Sequence, residues 1–512
     1  MPSNRGYSKK VLKNFLHPKN FGEIKNPDAV GKVGNPVCLL PKEKILINEE
    51  FTEIKEAKKG DFVVSHLSNK RKVQEIIIKN YSGKIINIKN SLGKLNLTPD
   101  HLIYAIKVPK EDKYKRIRGK KELIPSWYHA EHLEKGDLIF YPFSTEEKDV
   151  KSLNLNIQKK KYDFRSKDIP KSISLAGDFL RLAGYFLAEG NVQDRPSKTE
   201  ISFSLHIDEK DIVKDIRLIT KRLFNLDVKI KERPKTKGVV VYIYHARLAR
   251  FFKDFFGNGA KKKKIPEILM KLPILKQKDL IFGLWKGDGC INLNRIGPRA
   301  SYATISYQLV QQIKTLLLRQ GIIPSLYTEK EKISRWAKHQ EAYRIHVGQR
   351  ESLIKLSKIL KETYIPRSYS SISSWIEKNH LFCPITKISK EKYSGKVYNL
   401  EVEKDNSFIS ESLCLHNCGD IMWMYLKIDK KTEKIKDIKF KTYGCAAAIA
   451  STEQLTILAK NKTLKEAEKL TMKDVASALQ GLPQIKLHCS MMAIQALKKS
   501  IEEYRKKNKN GK

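Results

Sequence analysis

The chain has 512 residues, of which 100 are Lys or Arg and 56 are Asp or Glu, so its formal net charge is +44 at pH 7. This length predicts about three or four domains, and the charge predicts a polyanionic partner, most simply nucleic acid, with a general Lys-rich bias as the alternative. Because the sequence has no apolar run near the ~18 residues of a membrane span, no signal-peptide core and an odd count of seven cysteines, we expect a cytoplasmic protein without a disulfide framework.

The N-terminal segment, residues 1–37, is too short to bury a core by itself. Its first half has the pattern of a short amphipathic helix, with Val11, Leu12 and Leu16 as the apolar positions. Proline and glycine then predict an irregular stretch, at Pro18, Gly22, Pro27, Gly31, Gly34 and Pro36. We therefore expect this segment to pack against a distant part of the chain.

Residues 38–145 have the pattern of an all-β unit. Short runs of strand type are separated by Gly and Asp turns, at 44–47, 61–65, 73–79, 85–89 and 137–141. The octapeptide at 81–88, Tyr-Ser-Gly-Lys-Ile-Ile-Asn-Ile, returns at 393–400 as Tyr-Ser-Gly-Lys-Val-Tyr-Asn-Leu. Unless this is chance repetition, the repeat predicts a duplicated β-fold with something inserted between its halves.

The segment between the two copies contains two apolar stretches of helical type, 175–187 and 275–285, which lead to Glu189-Gly190 and Asp288-Gly289. Small residues on these stretches predict close contact between the two helices: Ala183, Gly184, Gly283 and Gly287. That contact would place the carboxylates of Glu189 and Asp288 side by side, where they could hold divalent metal ions against a scissile phosphate. The alternative is two core helices with acidic C-termini, which the helix dipole disfavours.

Strands and helices alternate after each of these stretches. We predict strands at 200–207, 239–244, 300–307 and 342–347, and helices at 210–224 and 309–320. Such strands could lie in a DNA groove and present alternate side chains to the bases. The four consecutive lysines at 261–264 form a basic joint between the two repeats or a solvated charge run. The pattern does not assign a Lys or Gln that assists cleavage.

The tripeptide His416-Asn417-Cys418 has a chemistry of its own. The Asn side-chain nitrogen can attack its own main-chain carbonyl, which closes a succinimide and breaks the peptide bond that follows. The neighbouring His can donate a proton, and the Cys thiol can accept an acyl group as a thioester. A chance tripeptide in a loop is the alternative, because motif matches are weak without context.

The context is a set of motifs that together resemble an intein: Cys38, Thr98, His101, His416, Asn417 and Cys418. The resemblance implies a Hedgehog/intein (Hint) β-horseshoe built from 38–145 and 383–417, with splicing that needs no cofactor. It implies that Cys38 attacks the preceding carbonyl with Thr98 and His101 as donors, that Cys418 takes the acyl group, and that Asn417 cyclises beside His416. Two positions depart from the family pattern: Asn406, where a His is common, and Asn399, where an Asp is common.

The two helices that lead to Glu189 and Asp288, with the strands that follow them, resemble the paired motifs of LAGLIDADG homing endonucleases. The four-lysine joint also has counterparts in that family. The resemblance implies a two-repeat αββ endonuclease, with linkers, over 146–382. It further implies that the two carboxylates hold Mg²⁺ and that the substrate is double-stranded DNA, namely the host gene lacking the insert.

The C-terminal segment, 418–512, predicts strands at 421–428 and 435–441 and helices at 447–459, 463–469, 473–479 and 491–507. Joined to 1–37, it resembles the iron–sulfur cluster assembly scaffold of the IscU/NifU N-terminal type. The resemblance implies that iron or a [2Fe–2S] cluster, with zinc as the alternative, is held by Cys418, Asp420, Cys445, His488 and Cys489. Buried structural cysteines are the other interpretation of the three thiols.

The same resemblance implies a cysteine desulfurase and cluster-acceptor proteins as partners. A heat-shock chaperone is a further implied partner, although Gln484 and Ile485 depart from the family's chaperone-binding Leu-Pro-Pro-Val-Lys. The sequence thus predicts a multi-domain α+β protein, in which a non-enzymatic scaffold (1–37 and 418–512) is split by a self-splicing insert that carries a DNA hydrolase. The alternative is a zinc-binding scaffold or sulfur-acceptor protein whose insert splices but whose endonuclease is inactive.

Overall fold

The structure is a computed structural model that describes residues 8–33, 37–113, 124–155, 167–195, 198–292, 298–333, 338–363, 374–417, 421–443, 446–482 and 487–509. Among these residues the buried apolar side chains form three large cores. We call the corresponding units the flank domain (8–33 with 421–509), the β domain (37–145 with 374–417) and the inserted domain (146–363). None of the described helices is both long and apolar enough to cross a membrane.

The flank domain begins with α1 (Lys9–Leu16) and β1 (Ala29–Val33). The β domain then contributes β2 (Lys44–Ile47), β3 (Glu50–Glu53), β4 (Phe62–Val64), β5 (Lys70–Asn90), β6 (Gly93–Leu97), β7 (Leu102–Ile106), β8 (Ser126–His129) and β9 (Leu138–Pro142). The inserted domain contains β10 (Ser152–Asn154), β11 (Ser172–Ser174), α2 (Gly177–Glu189), β12 (Gly190–Arg195), β13 (Lys198–His206), α3 (Lys210–Phe224), β14 (Lys229–Arg233), β15 (Gly238–Ile243), α4 (Ala246–Phe256), α5 (Glu267–Met270), α6 (Ile274–Asp288), β16 (Gly289–Asn292), β17 (Arg299–Thr304), α7 (Tyr307–Arg319), β18 (Ser325–Glu329), β19 (Lys332–Ile333), β20 (Lys338–His339), β21 (Ala342–Val347) and α8 (Arg350–Leu360).

The β domain resumes with β22 (Trp375–Glu377), β23 (His380–Pro384), β24 (Lys387–Val402), β25 (Ser407–Ile409) and β26 (Cys414–His416). The flank domain ends with β27 (Ile421–Ile428), β28 (Ile435–Tyr443), α9 (Ala446–Ala459), α10 (Leu464–Glu468), α11 (Met472–Ala478) and α12 (Leu487–Lys509). The chain is therefore nested, with the β domain inside the flank domain and the inserted domain inside the β domain.

The flank domain is assembled from both ends of the chain, as the sequence predicted for its short N-terminal segment. Strand β1 is the edge of a three-stranded antiparallel sheet in the order β1-β27-β28. Its register runs from Ala29 opposite Leu426 to Val33 opposite Met422. The long helix α12 packs so closely on β1 that a Cβ on Gly31 would lie 2.3 Å from the Ala496 carbonyl oxygen. Both flanks therefore leave this sheet side by side, a few residues from Cys38 and Asn417.

The β domain is built around the sequence repeat. Strands β5 and β24 pair antiparallel along nearly their whole lengths, and Ser82 lies opposite Ser394, so the two octapeptides face each other about a local twofold axis. In each copy the Tyr hydroxyl donates to the carbonyl three residues on, at Lys84 and Lys396. The Tyr ring then covers the Gly, where a Cβ would lie 2.7 Å from the hydroxyl oxygen in both copies.

A second sheet of the β domain corrects one predicted boundary. Its strand order is β22-β23-β9-β7-β26-β25, with β8 paired to β7. Strand β23 pairs with β9 from His380 opposite Pro142 to Pro384 opposite Leu138. Because β22 and most of β23 precede residue 383, we place the return to the β domain before Trp375.

The inserted domain consists of two helix-and-sheet units with the same connectivity. After α2 the sheet order is β12-β13-β15-β14, and after α6 it is β16-β17-β21-β18. The predicted helix at 309–320 begins earlier, at Tyr307, because the Ser306 side chain accepts from the Leu309 N–H and caps α7. The predicted strand at 300–307 consequently ends at Thr304.

Helices α2 and α6 are in direct backbone contact, as the small residues predicted. A Cβ on Gly184 would lie 2.6 Å from the Leu280 carbonyl oxygen and 2.7 Å from the Gly283 Cα. A Cβ on Gly283 would lie 2.3 Å from the Arg181 carbonyl oxygen. Only glycine fits at these two positions, and the acidic residues that end both helices are thereby brought together.

We expect Gly184→Ala to separate α2 from α6 and to destabilise the inserted domain by about 1–3 kcal/mol, because the added methyl meets backbone atoms that cannot move aside. The change should appear as a lower midpoint of thermal unfolding, measured in chains kept whole by the double change Cys38→Ala and Asn417→Ala. Gly348→Ala is the matched control, since a Cβ there would have no atom of the described residues within 4 Å. Equal stability of the two variants would contradict the close helix contact.

Candidate functional site

Backbone hydrogen bonds and the Thr98 side chain hold the N-terminal junction of the β domain in place. Cys38 is 1% exposed, and its N–H donates to Thr98 Oγ1 at 2.9 Å. The Thr98 N–H donates to the Cys38 carbonyl oxygen at 3.0 Å. On the other side, Leu39 exchanges two backbone hydrogen bonds with Tyr398 of β24. The bond between Val37 and Cys38 is therefore fixed between Thr98 and strand β24.

Asn399 donates to the carbonyl that precedes Cys38. Its Nδ2 lies 2.6 Å from the Val37 carbonyl oxygen. Its Oδ1 accepts from the Leu400 N–H at 2.8 Å, which determines that the nitrogen faces Val37. The side chain is fully buried. From the sequence, Asn399 was noted only as a departure from an Asp. Its residue type gave no indication that its amide faces the carbonyl before Cys38.

His101 and the Cys38 thiol are both held in their neutral forms by burial. His101 is fully buried, and neither of its ring nitrogens has a hydrogen-bond partner among the described residues. Burial lowers the pKa of this imidazole to about 3, and the nearby Cys38 backbone opposes part of the shift. Burial also raises the pKa of the Cys38 thiol to about 12, which nearby Lys79 only partly opposes. A neutral imidazole can accept a proton, so it can serve a thiol that does not ionise by itself.

Asn417, at the C-terminal junction, lies at the same end of the strand pair β7 and β26 as His101. Leu415 of β26 lies opposite Ile103 of β7 in antiparallel register, so His101 and Asn417 are each two residues beyond that pair in the same direction. Asn417 is 7% exposed, its N–H donates to the Asn406 carbonyl oxygen at 2.9 Å and its Nδ2 donates to the Val402 carbonyl oxygen at 3.2 Å. The structure thus places the predicted residues Thr98, His101 and Asn417 in one region of the β domain.

His416 packs against an aromatic ring of the same sheet. Its imidazole meets the indole of Trp127 edge to face, with ring centroids 4.8 Å apart. Cys418, two residues further on, lies outside the described residues, as do Asp420 and Cys445. His488 and Cys489 lie on α12, but their side chains are outside the description. The predicted iron–sulfur ligand set therefore stays a prediction.

The acidic residues that end α2 and α6 meet, as the helix contact requires. Glu189 and Asp288 hydrogen-bond to each other, and burial followed by the charge of Asp288 raises the pKa of Glu189 to about 7. Burial also raises the pKa of Asp288, an effect that Lys263 opposes. A Cβ on Gly287 would lie 2.4 Å from the Ala188 Cβ, so the helix ends are as close as the helix centres.

Lys263 is the member of this cluster that sequence reasoning missed. Its side chain is 7% exposed, and its Nζ donates to the Ala188 carbonyl oxygen at 2.6 Å, beside Glu189. Burial lowers its pKa to about 8, and the charges of Asp288 and Glu189 oppose this shift. The four lysines at 261–264 offered no signal that separates Lys263 from its neighbours, because its burial depends on the packing of α2 and α6.

The chemistry of the two carboxylates fits Mg²⁺, which prefers oxygen ligands and retains several waters. Among the described residues no group of three or more His, Cys, Asp or Glu side chains is placed to hold a metal ion. An ion between Glu189 and Asp288 would thus take its other ligands from water and substrate oxygens.

The raised pKa of Glu189 predicts that the stability of the inserted domain depends on pH. A carboxyl whose folded pKa is raised binds its proton more tightly in the folded state, so its contribution to stability is present at low pH and is lost as pH rises from about 4.5 to about 7. In metal-free buffer at pH 8 we expect Glu189→Gln to raise the melting temperature, by about 2–4 °C for each kcal/mol gained. At pH 5 the difference should vanish.

Glu232→Gln on the exposed strand β14 is the control for that measurement, since it removes a carboxylate that is solvated. A Glu189→Gln effect that is equally large at pH 5 and pH 8 would show that the paired carboxylates are not the source.

Comparison with known proteins identifies two families that parts of this chain match. Residues 39–417 match the family described as intein splicing domain, and residues 400–511 match the NifU-like N-terminal domain. An uncharacterized protein of Methanocaldococcus jannaschii is 31% identical over 423 residues, which cover 76% of this chain and 51% of that protein. Iron-sulfur cluster assembly scaffold protein IscU 1 of Archaeoglobus fulgidus is 52% identical over 91 residues, 18% of this chain and 58% of that protein.

The chain thus spans between half and three fifths of the length of these curated relatives. Among solved structures, a mesophilic variant of the homing endonuclease I-DmoI matches with a TM-score of 0.29 and 13% identity, over 37% of this chain and 98% of that one. The family match extends over most of the chain, from the residue after Cys38 to Asn417. The chain belongs to the intein splicing family, and its C-terminal part, residues 400–511, is similar to the NifU-like N-terminal domain.

Proposed function

We propose that the chain excises the segment from Cys38 to Asn417 by protein splicing and joins Val37 to Cys418, which completes an iron–sulfur scaffold. The observation that carries this proposal is the Asn399 amide held 2.6 Å from the Val37 carbonyl oxygen, on the bond that must be activated first. Thr98 supports it, because its hydroxyl and backbone fix both sides of Cys38.

In the first step the Cys38 sulfur attacks the Val37 carbonyl carbon. Negative charge then develops on the carbonyl oxygen, where Asn399 Nδ2 is already in place to stabilise it. His101 takes the thiol proton and returns it to the Cys38 nitrogen as the C–N bond breaks, which leaves a thioester and a free amine. Burial keeps the imidazole neutral before the reaction and disfavours a lasting imidazolium, so the proton must pass on to the Cys38 nitrogen as the C–N bond breaks.

In the later steps the acyl group passes from the Cys38 sulfur to the Cys418 sulfur, and Cys38 recovers the thiol proton. Asn417 Nδ2 then attacks its own carbonyl carbon, the C–N bond to Cys418 breaks, and the displaced proton passes to the Cys418 nitrogen with help from His416. For this attack Nδ2 must leave the Val402 carbonyl oxygen that it contacts now. The final shift of the acyl group from sulfur to nitrogen restores an ordinary amide.

The joined flanks would act as the scaffold, with Cys418, Asp420, Cys445, His488 and Cys489 holding iron or a [2Fe–2S] cluster, or zinc in its place. A cysteine desulfurase, cluster-acceptor proteins and a chaperone would be its partners in the cytoplasm. Since Cys418 is both the acyl acceptor and a proposed ligand, full cluster binding would follow splicing.

We also propose that the inserted domain cuts double-stranded DNA, at the host gene without the insert. The supporting observation is the hydrogen-bonded pair Glu189 and Asp288 beside buried Lys263. A bound Mg²⁺ would supply a polarised water and charge stabilisation at the phosphate. The two carboxylates would hold that ion, and Lys263 would offset their repulsion at the helix ends. A decayed nuclease that only binds DNA is the second candidate.

Asn399→Ala should slow formation of the thioester by about 10²–10³-fold, because the developing oxyanion loses its donor. The rate is measured as thiol-induced N-terminal cleavage in an Asn417→Ala chain, followed by gel and mass spectrometry. Asn87→Ala is the matched control, since it is the same position in the other repeat and its amide donates to Asn96 instead. N-terminal cleavage that is equally fast in both variants would remove Asn399 from the mechanism, and a wild-type chain that never cleaves would refute splicing itself.

Glu189→Gln and Asp288→Asn should each abolish cleavage of a plasmid that carries the uninterrupted junction, with Mg²⁺ or Mn²⁺ present. Splicing should continue in both variants, because their side chains lie in the inserted domain and not at the junctions. DNA binding by the wild type should weaken by about 10³–10⁵-fold from 50 to 200 mM salt if about 6–10 phosphates are contacted. Salt-dependent binding by the wild type without any double-strand break would favour the decayed nuclease.

A further inference from the structure

A buried lysine joins the inserted domain to the β domain. Lys314 of α7 is 1% exposed, and its Nζ donates to the Glu411 carbonyl oxygen at 2.8 Å and to the Tyr141 hydroxyl at 3.4 Å. The same Nζ lies 4.6 Å from the ring centre of Phe51 and 5.3 Å from that of Tyr141. Burying an amine is unfavourable unless hydrogen bonds and aromatic faces replace its water, and here both do.

The acceptor of this lysine belongs to a turn, residues 410–413, that is also held from two other sides. The Tyr307 hydroxyl at the start of α7 donates to the Glu411 carboxylate. The Tyr141 hydroxyl of β9 donates to the Ser410 carbonyl oxygen at 3.2 Å. Lys44 Nζ in turn lies over the Tyr307 ring, 3.1 Å from the centre of that ring. Helix α7 therefore contacts the turn through both a backbone and a side-chain acceptor of one residue.

The turn connects β25 to β26, the strand that ends at the C-terminal junction. Within it, Ser410 Oγ accepts from the Leu413 N–H at 2.9 Å and donates to the Leu413 carbonyl oxygen at 3.0 Å. The two strands then pair from Ile409 opposite Cys414 to Ser407 opposite His416. Because the turn is internally braced and the strands are short, a displacement of the turn carries over to His416 and Asn417.

The N-terminal junction is supported differently. The bonds that hold Cys38 come from Thr98, those that hold Leu39 come from Tyr398, and the donor to Val37 is Asn399. These three residues lie on the β domain and none of them is among the partners of Lys314 or Tyr307. Loss of the α7 contacts should thus act on one junction and spare the other.

We propose that the inserted domain is a working part of the C-terminal splice site, with Lys314 as a positioning residue that, together with Tyr307, holds the β25–β26 hairpin so that Asn417 can cyclise. This inference rests on the proposed splicing activity and adds that the two domains are coupled through α7. It assigns Lys314 no contact with the reacting atoms.

The test compares the two cleavage reactions in separate backgrounds. C-terminal cleavage is measured in a Cys38→Ala chain and thiol-induced N-terminal cleavage in an Asn417→Ala chain. Lys314→Met keeps the length of the side chain and removes its donors, and should slow C-terminal cleavage by on the order of 10- to 100-fold while leaving N-terminal cleavage unchanged. Tyr307→Phe removes only the hydroxyl and keeps the ring under Lys44, so a smaller change in the same direction is expected.

Arg319→Met is the matched control on the same helix. Arg319 is 6% exposed and bonds to the carbonyl oxygens of Ser144, Glu146 and Leu272 and to Gln277, so its loss also damages buried contacts of α7 but does not reach the turn at 410–413. Its ratio of C-terminal to N-terminal cleavage should equal that of the wild type.

Three outcomes would overturn the positioning role. They are equal slowing of both cleavages by Lys314→Met, no change in either one, or the same change of ratio with Arg319→Met. If the parent backgrounds cleave at neither junction, the splicing proposal fails as well, and that result is distinguishable from a failure of Lys314 alone.

Discussion

The backbone pairing of β1 with β27 is the contact on which the rest of the structure depends. It brings together two segments that are almost 400 residues apart in the chain and places Val33 opposite Met422. Closing such a loop would be entropically unfavourable for a flexible insert. Here the insert is folded and its own two ends lie together, because Leu39 is paired to β24 and Leu415 to β7. Each layer of the nested chain thereby shortens the loop that the next layer must close.

Burial then determines the chemistry at each site. At the N-terminal junction it raises the pKa of the Cys38 thiol and lowers that of the His101 imidazole, so both groups rest in their neutral forms. At the ends of α2 and α6 it raises the pKa of two carboxylates that the glycine contact forces together. At these helix ends the fold thus holds two carboxylates in a position that a bound cation would stabilise.

Strong local patterns made much of the fold predictable from sequence. Helix α3 has the bounds predicted for 210–224, because its Ile212, Ile216 and Ile219 follow helical spacing. The octapeptide repeat and the small residues of α2 and α6 pointed to contacts that the structure contains. The strands β22 and β23 were assigned to the wrong side of a boundary, since short strands carry little periodicity and their pairing with β9 is a property of the tertiary fold.

The parts of the sites that escaped prediction depend on orientation and packing. Residue type alone could not show that Asn399 turns its nitrogen to Val37, because the decisive bond is the one that its oxygen accepts from Leu400. Lys263 and Lys314 looked like two more surface lysines in a chain with 100 basic residues. Both are buried by contacts between elements far apart in the chain, which no local pattern encodes.

Amide hydrogen exchange on an unspliced chain that carries both Cys38→Ala and Asn417→Ala tests the central claim, that the flanks are folded together across the insert before splicing. We expect the amides of β1 to be protected to a similar degree as those of β28, because both strands pair with β27 in one sheet. Protection of β28 with exchange of β1 at the rate of an unfolded chain would contradict it, since the two junctions would then not be held side by side.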